Sequence, residues 1–161
     1  MAEARSVPEA DDESASPAAS GPAEAKPYLL DEQVGFLLRQ ASQRHTAIFA
    51  ARMVGDLTPT QWAALARLCE RGPSSQNLLG RLTAMDAATI KGVIDRLVAR
   101  GLAETHADPN DSRRLTVALT DPGRELLARA AAAAHAITEA TLAPLNAGER
   151  RTIVRLLGKL K

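Results

Sequence analysis

The side chains of this sequence best suited to chemistry are hydrogen-bond donors and cations gathered in three short groups. Ser75, Gln76 and Asn77 stand in a row. Ala87, Ala88, Thr89, Lys91, Gly92 and Arg96 follow in a second stretch, and Asp111 and Arg113 form a third. Hydroxyls, amides and guanidinium groups donate to phosphate oxygens, which fixes Ser75, Gln76, Asn77, Thr89 and Arg96 as candidate phosphate ligands. A lysine between small residues can reach a guanine O6/N7 edge, so Lys91 is the candidate base reader. Ala87 and Ala88 allow close approach and can touch a thymine methyl, while Gly92 leaves space for the groove wall. Asp111 can hold the guanidinium of Arg113 in one orientation, and an oriented arginine suits a narrow, electronegative minor groove. Together the three groups describe the gripping and reading of a DNA duplex.

Catalytic chemistry finds no comparable cluster. His45, His106 and His135 fall on different segments, and no carboxylate pair, Gly-rich phosphate loop or nucleophile elbow is present. A single cysteine, Cys69, forms neither an intramolecular disulfide nor a multi-thiolate metal site. Neither an enzyme nor a cofactor is expected. No apolar run approaches the roughly 18 to 20 residues needed to span a bilayer. The early residues also lack a basic region followed by an apolar stretch, so the expected location is cytoplasmic, without a membrane partner. Net charge is +1, unevenly spread: residues 1–27 hold six acidic and two basic groups, which leaves 28–161 with 13 acidic, 18 basic and a net +5. That excess is compatible with a polyanion partner.

The elements that must position these groups can be read in turn. Residues 1–27, rich in Ala, Ser, Pro and acids, bury too little to offset ordering entropy and are expected to form a disordered tail. From Tyr28 to Val54 a helical stripe of Val34, Leu38, Ala41, His45, Ile48 and Arg52 predicts a first long helix. Thr58-Pro59-Thr60-Gln61 is a capping box with proline at the first helical position, opening a helix over 59–71 that turns Trp62, Leu65, Leu68 and Cys69 inward. Ser74 or Ser75 caps a short helix with Leu78, Leu79 and Leu82 inward, in which Gly80 permits close helix approach. Asp86 caps another over 87–100, with Ile90, Val93, Ile94, Leu97 and Val98 on one stripe. Leu115, Val117 and Leu119 alternate with polar or small residues as a half-buried strand. Leu102–His106 is its expected partner, and a loop over Ala107–Arg113 forms a wing. A long Ala-rich helix from Asp121 to about Ala143 and a last helix capped by Asn146, with Ile153, Val154, Leu156, Leu157 and Leu160 inward, complete the chain.

The fold expected from this order is mainly α with a small β-hairpin. A winged helix-turn-helix DNA-binding domain over 57–120 is flanked by an N-terminal helix over 28–56 and C-terminal helices over 121–161. The flanking aliphatic faces would be exposed on a lone copy, so they are expected to pair with a second one as a homodimer.

Several stretches together resemble the MarR family of transcriptional regulators across nearly all of 28–161. They are LTPTQWAALARL, SQNLLGRLTAMDAATIKGVIDRLVARGL, the DPNDSRR wing with its Asp-x-x-Asp-x-Arg spacing, and LTVALTDPG. The resemblance implies a homodimer joined through its terminal helices, a pseudo-palindromic double-stranded operator, and a repressor often released by a small aromatic acid. Lys91-Gly92 departs from the common family pattern of Ser or Thr followed by Arg, so base preference does not carry over. GFLLRQASQRHTAIFA followed by SQNLLGRLTAMDAATIKG resembles the branch that regulates nicotinate or related aromatic catabolism.

In such relatives the effector lies between the dimerisation helices and the DNA-binding lobe. Here His45, Phe49 and Arg52 form an i, i+4, i+7 row and Trp62 begins the next helix, a set suited to a small aromatic carboxylate. Two other readings stand beside this one. One is a thiol-based redox regulator using Cys69, although a place on the inward face would make that thiol inert. The other is a winged-helix protein-interaction module.

Overall fold

A computed structural model describes residues 27–108 and 111–161, with the backbone alone for 108 and 111–114. The tail read over residues 1–27 lies outside the described residues except for Pro27. Local capping chemistry sets most helix starts. Helix α1 spans Val34–Arg52 and α2 spans Pro59–Arg71. In the capping box of α2, Thr58 Oγ1 accepts from the Gln61 N–H at 3.2 Å and Gln61 Oε1 accepts from the Thr58 N–H at 3.0 Å. Strand β1 is Ser74–Ser75, after which α3 runs over Gln76–Leu82, with Ser75 Oγ accepting from the Leu78 N–H at 3.3 Å. Helix α4, Ala87–Ala99, starts at Asp86, whose carboxylate accepts from the Thr89 N–H at 2.7 Å. Strands β2, Ala103–Asp108, and β3, Asp111–Leu119, lead to α5, Asp121–Leu142, and α6, Ala147–Leu157. Asn146 and Glu149 form a second capping box at α6.

One core joins these elements from α2 to the start of α5. Leu65, Leu79, Ile90, Leu97 and Val117 are fully buried in it, with Leu57, Leu102, Leu119 and Leu126 around them. Glycines let two backbones close on this core. A Cβ at Gly80 would lie 3.1 Å from Met85 O and 3.2 Å from Ile90 Cγ2, so the α3–α4 turn needs the bare Cα. A Cβ at Gly123 would fall 2.0 Å from Leu102 O, so only glycine admits the first turn of α5 against the chain that leaves α4. Thr120 fastens the same junction, its Oγ1 donating to Gly101 O at 2.6 Å and accepting from the Gly123 N–H at 3.1 Å.

The fold class matches the reading, and several details differ for physical reasons. Tyr28 to Gln33 do not extend the first helix: an extended start and a single 3-10 turn at Leu30–Glu32 precede α1. The sheet has three strands in the order β1-β3-β2, because Ser74 and Ser75 pair antiparallel with Val117 and Thr116. Two residues are too short for alternation to be seen. The expected wing loop over Ala107–Arg113 is mostly strand, since β2 runs to Asp108 and β3 begins at Asp111, with a register irregularity after Ala107. Alternation reveals only the part of a ladder with one buried face. Accordingly Val117 and Leu119 are buried and Leu115 is exposed.

Leu78 and Val98, read as inward, are also exposed at the margins of their stripes. Cys69 is exposed, which corrects its placement in the core and removes burial as the reason for an inert thiol. The largest correction concerns α6. It has no buried residue: Ile153, Val154, Leu156, Leu157 and Leu160 face outward, with Val154 59% and Leu160 72% exposed. Helix α1 packs on α5, where Phe49 and Ile137 are buried apart from the main core, while Val34, Leu37 and Leu38 remain exposed.

Candidate nucleic-acid interface

Burial of Ile90, Val93, Ile94 and Leu97 fixes the rotation of α4 and turns its other face outward. Ala87, Ala88, Thr89, Lys91 and Arg96 are exposed there and Gly92 is half-buried. Helix α3 packs on α4 and brings Ser75 and Gln76, half-buried, and exposed Asn77 to the module. The hydroxyls are partly committed. Ser75 Oγ accepts the α3 cap bond and keeps its proton to donate, whereas Thr89 Oγ1 donates to Asp86 Oδ2 at 2.9 Å. The Thr89 N–H, then the Thr89 hydroxyl, hold the Asp86 carboxyl below its ordinary range. Thr89 therefore serves the cap first, and its use on phosphate would require that bond to break.

Lys91 is tied as well. Its Nζ lies 2.7 Å from Asp95 Oδ2, an i, i+4 pair with both side chains exposed. Such a pair is weak in water and can open when a stronger acceptor arrives. Arg96 has no hydrogen-bond or ion-pair partner among the described residues. At the far end of α4, Arg100 donates to Gly55 O at 2.6 Å and Asp56 O at 3.2 Å, locking the helix to the α1–α2 connection. In the wing, the backbone of Asp111 and Arg113 belongs to the start of β3, with Asp111 opposite Asp108 at the end of β2. The side-chain roles read for these two residues lie outside the described residues.

A second polar cluster sits where α1 meets α5. His45 Nδ1 is 2.9 Å from Thr141 Oγ1, and the His45 ring packs on Phe49 with centroids 6.2 Å apart. Arg44 donates to Thr141 O at 2.6 Å and Ala140 O at 3.2 Å, satisfying carbonyls at the end of α5. Arg52 is exposed. Trp62 lies elsewhere, in an open, mostly apolar groove of about 280 Å³ between α2 and α5 that Cys69, Leu127, Glu70 and Arg124 also line. Three of the four candidate effector residues are thus divided between two sides of α5, His45 and Phe49 on the α1 side and Trp62 on the α2 side, while Arg52 is exposed at the end of α1.

Comparison with known proteins bears on both clusters. A sequence model of the MarR family matches residues 55–114, which span α2, α3, α4 and most of the wing. The HTH-type transcriptional repressor NicR of Pseudomonas putida is 46% identical over 142 residues, covering 88% of this chain and 90% of NicR. The chain belongs to the MarR family. Among solved structures, a probable transcriptional regulator from Pseudomonas aeruginosa is 56% identical with a TM-score of 0.80, covering 83% of this chain and 100% of that one. BpsR of Bordetella bronchiseptica, in a structure concerned with regulation of its DNA binding by 6-hydroxynicotinic acid, is 43% identical with a TM-score of 0.80, covering 84% and 97%.

As a MarR-family transcriptional regulator, the protein binds DNA through the winged helix, and its relatives are regulators, not enzymes. Among the described residues no group of three potential metal ligands occurs, and no helix is long and apolar enough to cross a membrane. Two residues beside the candidate effector residues escaped the sequence reading. Arg44 stands beside His45 but its partners are 96 and 97 positions away, and Arg124 meets Trp62 only through the packing of α5 on α2. No local spacing announces either contact.

Proposed function

We propose that this protein is a homodimeric, sequence-specific repressor. It binds a pseudo-palindromic double-stranded operator through α4 and the wing, and a small aromatic acid of the nicotinate or phenolic type releases it. The observation that carries the dimer is the aliphatic face of α6. An isolated helix of 11 residues is below the roughly 12 to 15 at which helices become even marginal in water. Within its own chain α6 is held by an Arg150–Glu139 ion pair at 2.6 Å, and none of its residues is fully buried. A second copy laying α1 and α6 against the first would cover Val34, Leu37, Leu38, Val154 and Leu157 together.

For DNA, Ser75, Gln76, Asn77, Thr89 and Arg96 are assigned to phosphates, Ala87, Ala88, Lys91 and Gly92 to the major groove, and Arg113, steadied by Asp111, to the minor groove. For the effector, His45, Phe49, Arg52 and Trp62 are assigned to a small aromatic carboxylate. BpsR's regulation by 6-hydroxynicotinic acid, and NicR's designation as a repressor, support that class of ligand. Helix α5 carries the response, because its α1 side meets His45 and its α2 side lines the Trp62 groove. A ligand that prefers one setting of α5 changes the separation of the two copies of α4 and weakens operator binding to the same extent as DNA weakens the ligand.

Titration of 6-hydroxynicotinic acid and a panel of benzoates tests this reading, with Trp62 fluorescence and operator release followed together. Release in step with the fluorescence change is expected. An unchanged signal and an intact DNA complex across the panel would remove the effector assignment.

A further inference from the structure

The missing side chain at position 92 serves another residue. On α4, a Cβ built at Gly92 would lie 3.8 Å from one terminal nitrogen of Arg96 and 4.0 Å from the other. The Arg96 guanidinium therefore folds back one helical turn and rests over the bare Gly92 backbone. A single methyl would just touch it, and a longer side chain would occupy the place where the guanidinium lies. The neighbouring cation is engaged differently, with Lys91 Nζ paired to Asp95 at 2.7 Å on the exposed face of the helix. Arg96 also borders an open depression of about 470 Å³ shared with Thr58 and Arg100, and Arg100 already donates to the Gly55 and Asp56 carbonyls.

We propose that Gly92 is a positioning residue for Arg96: by leaving its face of α4 bare, it lets the Arg96 guanidinium lie at the middle of the helix, where it donates to a backbone phosphate at the edge of the groove. This rests on α4 being the DNA-reading helix, and it alters the role of Gly92 from room for the groove wall to room for a cation. A guanidinium that can lie there has a place close to the helix axis before DNA arrives, which limits the side-chain reach and the rotamer entropy lost on binding.

A double-mutant cycle separates the two roles of the glycine. Operator affinity is measured as a function of salt for wild type, Arg96→Gln, Gly92→Leu and the double variant, with thermal unfolding confirming that each is folded. Gly92→Gln replaces the leucine variant if that one does not fold. Arg96→Gln is expected to weaken operator binding about tenfold, the size of one charge-assisted contact, and to lower the slope of log affinity against log salt by about one. Gly92→Leu is expected to reproduce both changes, and the double variant to bind no more weakly than either single one. Losses that add in the double variant, or a Gly92→Leu protein with an undiminished salt slope, would overturn the proposal and leave α4 as the reading helix. Failure of wild type to bind duplex in a salt-dependent way would remove that reading and the proposal with it.

Discussion

Lys91 is the residue on which sequence preference is expected to turn. Breaking its exposed pair with Asp95 costs little, and a guanine edge offers two acceptors in exchange. Lys91→Ala should reduce discrimination at one base pair of each half-site by roughly 1–3 kcal/mol while leaving affinity for random duplex nearly unchanged. Competition among singly substituted operators measures this, and equal ranking of those operators by variant and wild type would count against it. Arg113→Ala should instead weaken binding to all duplexes with little change in ranking, read in the same competition. Helical periodicity put Lys91 on the exposed face of α4, where the structure has it, and the Lys91–Asp95 pair follows from an i, i+4 spacing. What the sequence could not show was the engagement of Thr89 with its cap or of Arg44 with α5, because a donor's partner depends on rotamers and on distant backbone.

At the scale of elements, capping governs. Asp86 has a lowered carboxyl pKa through its bonds to Thr89, so its contribution to α4 is fully present above the ordinary carboxylate range and is lost as pH falls through the lowered value. Acid unfolding of wild type should therefore steepen below pH ~3.9, and Asp86→Asn should flatten that part of the profile followed by circular dichroism. A profile identical in the two proteins would deny the cap this role. Gly123→Ala should cost roughly 1–3 kcal/mol by forcing α5 away from Leu102 O. At about 2–4 °C per kcal/mol for a chain of this size, thermal melting should register a fall of several degrees. Capped helix starts were legible because their signals lie within four residues, as at Thr58–Gln61 and Asn146–Glu149, whereas α1, which has no side-chain cap, starts later than its apolar pattern indicated. Strand β1 was not, since its two residues are defined only by pairing with Val117 and Thr116 far along the chain.

At the scale of the molecule, the proposed dimer would tie stability to association through the apolar face of α6. Val154→Glu should place a charge in the proposed interface between copies, converting the dimer to monomers in sedimentation equilibrium and abolishing cooperative operator binding. An unshifted mass would argue for another occupant of that face. The aliphatic periodicity of residues 153–160 was legible, but that it lies outside its own chain's core follows only from the packing of the other helices. The central claim is that two copies of one reading module are held at a fixed spacing. Selection of bound sequences from a random duplex pool tests it most directly. A palindrome with half-sites about one helical turn apart, roughly 10–10.5 bp centre to centre, is the predicted result. Enrichment of a single unrepeated half-site, or no enrichment at all, would contradict it.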